Sequence, residues 1–349
     1  MATHARPIRA GLRFVTTEHA AHGFEVIVAD EPLDSPFRDP HDRVRAGAPD
    51  RLLRIGAVQC AWNPDPTAME ATLRSGVEIA AAEGVEVVFL QELTRSPYFC
   101  VSPDVPHALV RFGEPLELGP TVTLARALAT EHNIAVHASL YERPLDEQAD
   151  IERGYNTAIC VDASGVLVAH TRKTHIPEFE YYHEDVYFEP GDDGCPVVDV
   201  AGARFGFPTC WDQWFPELAR KLSMDGAEVI VYPTAIGSEP HRPGFDSQPM
   251  WRQMIAANGL ANATFMVAVN RIGVEGPISF YGSSFISDPY GRVIVEAPRD
   301  RPAVLVAQLD LGQRADWLDF GLMYTRRPDA YRRLADRTDL GRPKDARGS

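Results

Sequence analysis

The chain has too few cations for its acids. Its 34 Lys and Arg residues stand against 49 Asp and Glu, a formal net charge of −15. That argues against a nucleic-acid binder, whose phosphate contacts need clustered Lys and Arg. Cysteine is also sparse. The five thiols, Cys60, Cys100, Cys160, Cys195 and Cys210, are scattered and include no CxxC pair. They form neither a disulfide framework nor a zinc ribbon, and free thiols fit a reducing cytoplasm. No apolar run approaches the ~18 residues of a membrane helix. The opening MATHARPIRAGLRFVTTEHA has no apolar stretch or cleavage pattern of a secretory leader. His170 and His175 lack metal-ligand spacing, and neither HExxH nor a phosphate-cradling glycine loop is present. The expectation is a cytoplasmic protein that acts on a small molecule, with no cofactor, metal, nucleic acid or membrane partner.

What is present is alternation. Residues 1–50 are rich in Pro, His, Arg and Asp around one apolar patch, FEVIV. They read as an extension, draped over the domain or partly irregular. From Leu53 onward, strand-like apolar runs (LRIGAVQCAW, VEVVFLQEL, IAVHASLYE, VIVYPTA, FMVAVNRI, AVLVAQLDL) alternate with helical stretches. One helix starts at Asp65-Pro66-Thr67 and stops at Gly84, as capping chemistry favours. Apolar runs around Asp162-Ala163-Ser164-Gly165, two runs flanking a later glycine turn, and SSFISDPYGRVIVEA read as three hairpins. Alternation implies α/β and hairpins imply mixed sheets, so a layered sandwich with helices outside two sheets fits better than a barrel. The resulting division is an extension (1–50), a domain (51–335) and a tail (336–349).

Three segments deliver reactive groups to the ends of apolar runs, where α/β folds collect their active sites. VVFLQEL carries Glu92, HTRKTHIP carries Lys173, and FGFPTCWDQWFPE carries Cys210 between a strand and a helix beginning near Pro216. A thiol at such an elbow is near backbone N–H groups, which predicts a pKa below the usual value of about 8.5. A carbonyl of the amide type needs a strong nucleophile, a base and an oxyanion donor. Taken singly, each residue is as well read as core or surface, and spacing alone does not bring them together.

The order Glu, Lys, Cys in these contexts resembles the nitrilase (carbon–nitrogen hydrolase) superfamily, over roughly residues 53–333. The resemblance implies a four-layer αββα sandwich that commonly forms homo-oligomers. It implies Glu92 in LQEL as general base, Lys173 in RKTHIP as the lysine, and Cys210 in CWDQWFPE as nucleophile. It further implies the N–H of Trp211 beside the oxyanion, and Glu142 in SLYER as a second glutamate positioning Glu92, Lys173 or the substrate. QELTRSPYFC, YPTAIGSEP, NRIG, FYGSSFI and RRPDAY are similar to the N-carbamoylputrescine amidases, which hydrolyse a ureido group on a diamine. The acidic stretch EFEYYHED, with Asp212 after the cysteine, would welcome an ammonium tail. Glu178, Tyr181, Asp212 and Trp214 are the substrate-binding candidates. The alternatives are a β-ureidopropionase or other carbamoyl amino acid hydrolase, an aliphatic amidase or nitrilase, and a silent scaffold that keeps the fold. Asn270 and Arg271 read as braces.

Overall fold

The computed structural model describes residues 12–15 (backbone), 23–38, 51–144 and 153–335. The tail 336–349 and most of the extension lie outside the described residues. Among the described residues the strands form two main sheets. The eight-stranded sheet runs, in spatial order, Leu12–Val15, Glu25–Ala29, Ala303–Asp310, Leu52–Gln59, Val87–Phe89, Ala135–Glu142, Tyr155–Val161 and Leu167–Arg172. The six-stranded sheet runs Val197–Val200, Ala203–Gly206, Val229–Thr234, Phe265–Asn270, Phe285–Ser287 and Val293–Glu296. Both are mixed. Leu52–Gln59, Val87–Phe89 and Ala135–Glu142 are parallel neighbours, whereas Ala135–Glu142 and Tyr155–Val161 are antiparallel.

The two sheets bury one shared face. Phe89 and Ile55 of the first meet Phe205, Phe207 and Val231 of the second in a single apolar cluster. His137 sits in it, stacked on Phe207 at 5.0 Å between ring centroids. Burial alone pushes that imidazole down to about 3, so it is neutral there. The outer face of the first sheet is covered by helices Pro66–Ala82 and Pro120–His132, that of the second by Pro216–Met224 and Gln248–Asn262. The result is the expected four-layer αββα sandwich. The first helix begins as the sequence predicts, with Pro66 in its opening turn and the Asp65 carboxylate accepting the Thr67 N–H at 2.9 Å.

Two expectations change. The FEVIV patch, read as part of a draped or partly irregular extension, is a regular strand of the first sheet. Glu25–Ala29 adds to the sheet parallel to Ala303–Asp310, with Val26 and Val28 fully buried. A fourth hairpin, Ile272–Glu275 with Ile278–Tyr281, continues from the strand that the sequence ended at Ile272. Its turn is Gly276-Pro277, with Gly276 at φ 57°.

Candidate active site

Sheet topology brings Glu92, Lys173 and Cys210 to one point. The Val87–Phe89 strand stops earlier than its apolar run suggests, and the chain turns sharply so that Leu93 takes φ 47°. A leucine holds that left-handed conformation only where its surroundings fix it. Here the Arg271 Nη2 donates to the carbonyls of Glu92, Leu93 and Ser96 at 2.7, 3.1 and 3.3 Å, while the Ser139 hydroxyl accepts the Leu93 N–H. Asn270 braces the facing loop, accepting the Ile236 N–H and donating to the Ile236 and Gly282 carbonyls. Both residues are structural braces, as read.

Lys173 follows directly on Leu167–Arg172 and is buried. Its ammonium donates to Glu92 Oε1 at 2.9 Å and to Glu184 Oε2 at 2.6 Å. Glu92 Oε1 also accepts from Asn156 Nδ2 at 2.7 Å, and Glu184 Oε1 from the Tyr98 hydroxyl at 2.8 Å. Glu92 Oε2 is the exception, buried with no hydrogen-bond partner. Burial pulls the Lys173 ammonium down, but the two carboxylates overrule it and hold Lys173 well above its usual range. Burial pushes the Glu184 carboxyl up to about 7 against the pull of Lys173. One cation thus sits between two acids.

Cys210 opens a single turn of 3-10 helix, Cys210–Trp214, at φ 42°. The Asp212 carboxylate pins this elbow. It accepts the Thr209 N–H at 2.9 Å and the His175 N–H at 2.8 Å, and lies 2.7 Å from His175 Nδ1. It therefore ties the cysteine elbow to the segment that follows Lys173. The Ala235 N–H points at the thiol. The expected low thiol pKa is overturned. Burial first, then the Glu92 carboxylate, push the Cys210 thiol well above its ordinary value despite Lys173 and Ala235. Cys210 rests as a thiol and needs a base.

Several candidates fall elsewhere. Glu142 does not join this group. Its carboxylate takes a bidentate contact from Arg172 (2.6 and 3.2 Å), the Thr157 hydroxyl at 2.6 Å and His170 at 3.2 Å. The position beside Lys173 belongs to Glu184 instead, which the sequence offered only as one acid of a loop. The Asp212 carboxylate is engaged as a cap, and Trp214 packs on the helix-side core. Trp211 is half-buried and meets Phe179 at 5.1 Å, so the short hairpin Glu178–Phe179 with Tyr182–His183 leans over the cysteine elbow. On that hairpin Glu178 and Glu180 are exposed, and the Tyr181 hydroxyl bonds Glu180.

Glu239 was missed. It is half-buried, and burial raises its pKa. Burial, then the nearby Glu239 carboxylate, and to a lesser extent Cys210, push the Tyr182 phenol up. Glu239 therefore lies within electrostatic reach of Tyr182, which is itself within reach of Cys210. The segment IGSEP held the signal, an acid two residues after a glycine whose Cβ would meet the Ser279 carbonyl at 2.5 Å.

This fold, with a buried Glu, Lys and Cys converging from separate strands, defines a hydrolase of carbon–nitrogen bonds. The chain belongs to the carbon-nitrogen hydrolase family, whose sequence model matches residues 54–318, and it acts on non-peptide C–N bonds. It is 38% identical over 296 residues to an N-carbamoylputrescine amidase of Arabidopsis thaliana, covering 81% of this chain and 95% of that one. It is 36% identical over 287 residues to a citrullinase of Francisella tularensis, covering 80% and 96%. A carbon-nitrogen hydrolase from Helicobacter pylori superposes with a TM-score of 0.76 at 29% identity, over 82% of this chain and 99% of that one. No helix among the described residues is long and apolar enough to cross a membrane.

Proposed function

We propose that the chain is a cysteine-dependent hydrolase of N-carbamoyl amines, of which N-carbamoylputrescine is the best candidate, yielding amine, carbon dioxide and ammonia. The observation that carries this is the asymmetry of Glu92. One oxygen is held by Lys173 and Asn156, and the other is buried without a partner within electrostatic reach of Cys210. That free oxygen takes the thiol proton as Cys210 attacks the ureido carbonyl. An ammonium has three donors, and the Lys173 contacts to Glu92 and Glu184 use two of them. The third meets the developing oxyanion together with the Trp211 N–H. Protonated Glu92 then returns the proton to the leaving nitrogen, leaving a thioester-type carbamoyl on Cys210. The same carboxylate next draws a proton from water as it attacks that intermediate. Glu184 holds Lys173 from the opposite side and is placed to meet the substrate nitrogens.

Charge at the mouth supports an amine over a carboxylate. Glu178, Glu180 and Glu239 ring it with acids. Arg299, which lines the neighbouring cleft beside Phe280 and Tyr281, is neutralised by two 2.8 Å contacts with Asp246. A ureido amino acid, the kind of substrate named for the citrullinase relative, would need a free cation for its carboxylate.

The test is ammonia release from N-carbamoylputrescine, N-carbamoyl-β-alanine and citrulline side by side, with Cys210→Ala as blank. Preference for the diamine is expected. Preference for either carboxylate would overturn the substrate reading, and Cys210→Ala activity within tenfold of the parent would overturn the nucleophile.

A further inference from the structure

A cleft of about 620 Å³ opens beside residues 95–97, just downstream of the Glu92 turn. Its walls are apolar, built from Trp62, Phe112 and several prolines, yet three arginines line it: Arg95, Arg111 and Arg143. Among the described residues no ion pair engages Arg111 or Arg143. The Arg111 guanidinium lies over the Phe112 ring at 4.8 Å. Arg95 has one long contact, 3.4 Å to Glu70, and its Nε is buried without a partner. Glu114 also lines the cleft, but its two oxygens accept the Thr121 N–H and hydroxyl, each at 2.7 Å, and burial pushes its pKa up. It acts electrostatically on Arg95 alone of the three arginines, so Arg111 and Arg143 carry the open charge.

In a chain of net charge −15, a cleft lined by three arginines, two of them with no acid partner among the described residues, is an unusual arrangement. Each guanidinium presents a planar fork that matches a phosphate or carboxylate. The volume lies within the range of small-molecule sites. We propose that this cleft is a second binding site, separate from the hydrolytic one, for a small organic anion. Its phosphate or carboxylate head is held by Arg95, Arg111 and Arg143, and its apolar body lies against Trp62 and Phe112. The acidic mouth over Cys210 repels such a ligand, so the two sites select opposite charges.

The test is titration calorimetry of the full chain with phenyl phosphate and with phenylacetate, against inorganic phosphate and neutral benzyl alcohol. At least one aromatic anion should bind with a dissociation constant of a few millimolar or tighter (an order-of-magnitude ligand-efficiency figure). It should bind more tightly than either control, and the better arm identifies the head group. Arg111→Gln/Arg143→Gln should weaken it at least about tenfold, the loss of two charge-assisted hydrogen bonds, while hydrolysis and Tm stay at parental values. Should the double variant fold poorly, the exposed Arg111→Gln alone should weaken binding about threefold or more. Arg126→Gln, which removes an arginine paired with Glu117 outside the cleft, should leave binding intact. No binding by either anion, equal binding of benzyl alcohol, or parental affinity in both cleft variants would overturn the site.

Discussion

Arg172 and Lys173 are neighbours in sequence, and each meets glutamate, yet they do different work. Alternation at the strand end sends the two side chains opposite ways. Arg172 reaches Glu142 in a bidentate pair, stacks over Tyr155 at 3.7 Å and stays about one-fifth exposed. Lys173 goes inward, between Glu92 and Glu184, where all three side chains are at most 1% exposed. The Arg172 pair is a planar fork matched to a carboxylate, with Thr157 and His170 completing the second oxygen. The Lys173 cluster holds more acid than base, leaves one carboxylate oxygen unpaired and keeps one ammonium donor free. A satisfied pair stabilises. An unsatisfied, buried one is poised for chemistry, because its open valences are what a substrate completes.

The comparison breaks first on charge deletion. Cys210→Ala should remove turnover altogether. Lys173→Gln should lower kcat by about 1,000-fold, the scale of a lost oxyanion donor. It should also cost about 3–5 kcal/mol of stability by stranding two buried carboxylates, read from denaturant melts. Arg172→Gln should keep kcat within about threefold and cost about 1–3 kcal/mol, the scale of hydrogen bonds to a charged group. Equal kinetic damage from the two would mean that Glu142 belongs to the catalytic group after all.

The two glutamates sharpen it further through pH. Hydrogen bonds from His170, Arg172 and Thr157 outweigh burial and hold the Glu142 carboxyl down to about 2. Its folded pKa lies below the unfolded one, so its stabilisation is present above about pH 4.5 and is lost as pH falls towards 2. Burial raises Glu184 to about 7. The sign is opposite: between about pH 4.5 and 7 the unfolded chain releases this proton first, so stability declines as pH rises through that window. Glu142→Gln should therefore destabilise at neutral pH, converge with the parent in acid, and leave kcat unchanged. Glu184→Gln should flatten the decline between pH 4.5 and 7 and lower kcat by about 100-fold. Matching pH–stability curves for the two variants would refute the distinction.

The sequence carried the layers and the three strand-end residues, because periodicity and local context are properties of a few adjacent positions. It did not separate Glu142 from Glu184. Both are acids near apolar runs, and which one faces the lysine depends on register. Glu142 pairs with Tyr155 across the ladder and Thr157 with Arg172 on the next one, which commits Glu142 to the arginine. One signal was available. Lysine occurs at only three positions, Lys173, Lys221 and Lys344, so a lysine in an arginine-rich chain marks a place where a compact ammonium is required. The thiol pKa was misjudged for a related reason. The elbow is local, but the burial that chiefly raises the thiol comes from the packed layers, and the Glu92 carboxylate that adds to it arrives from a turn more than a hundred residues earlier. The FEVIV patch was legible as apolar, whereas its partner, Ala303–Asp310, lies at the other end of the chain.

The smallest expected effect tests whether the acid at the mouth is like Glu142 or like Glu184. Glu239 is half-buried, and burial raises its pKa. Among the contacts that shape it, His241 and Arg242 lower the pKa without cancelling that rise, so it is neither locked in a bidentate pair nor part of the Lys173 cluster. An ammonium arriving there would gain a charge-assisted contact that is the same in ground state and transition state. Such uniform binding appears in KM and not in kcat. Glu239→Gln should raise KM for N-carbamoylputrescine about tenfold, the scale of one hydrogen bond to a charged group, with kcat held within about twofold. It should leave an uncharged ureido substrate such as N-carbamoylbutylamine unaffected. A fall in kcat on both substrates would move Glu239 into the reacting group, and no change on either would remove it from the mouth.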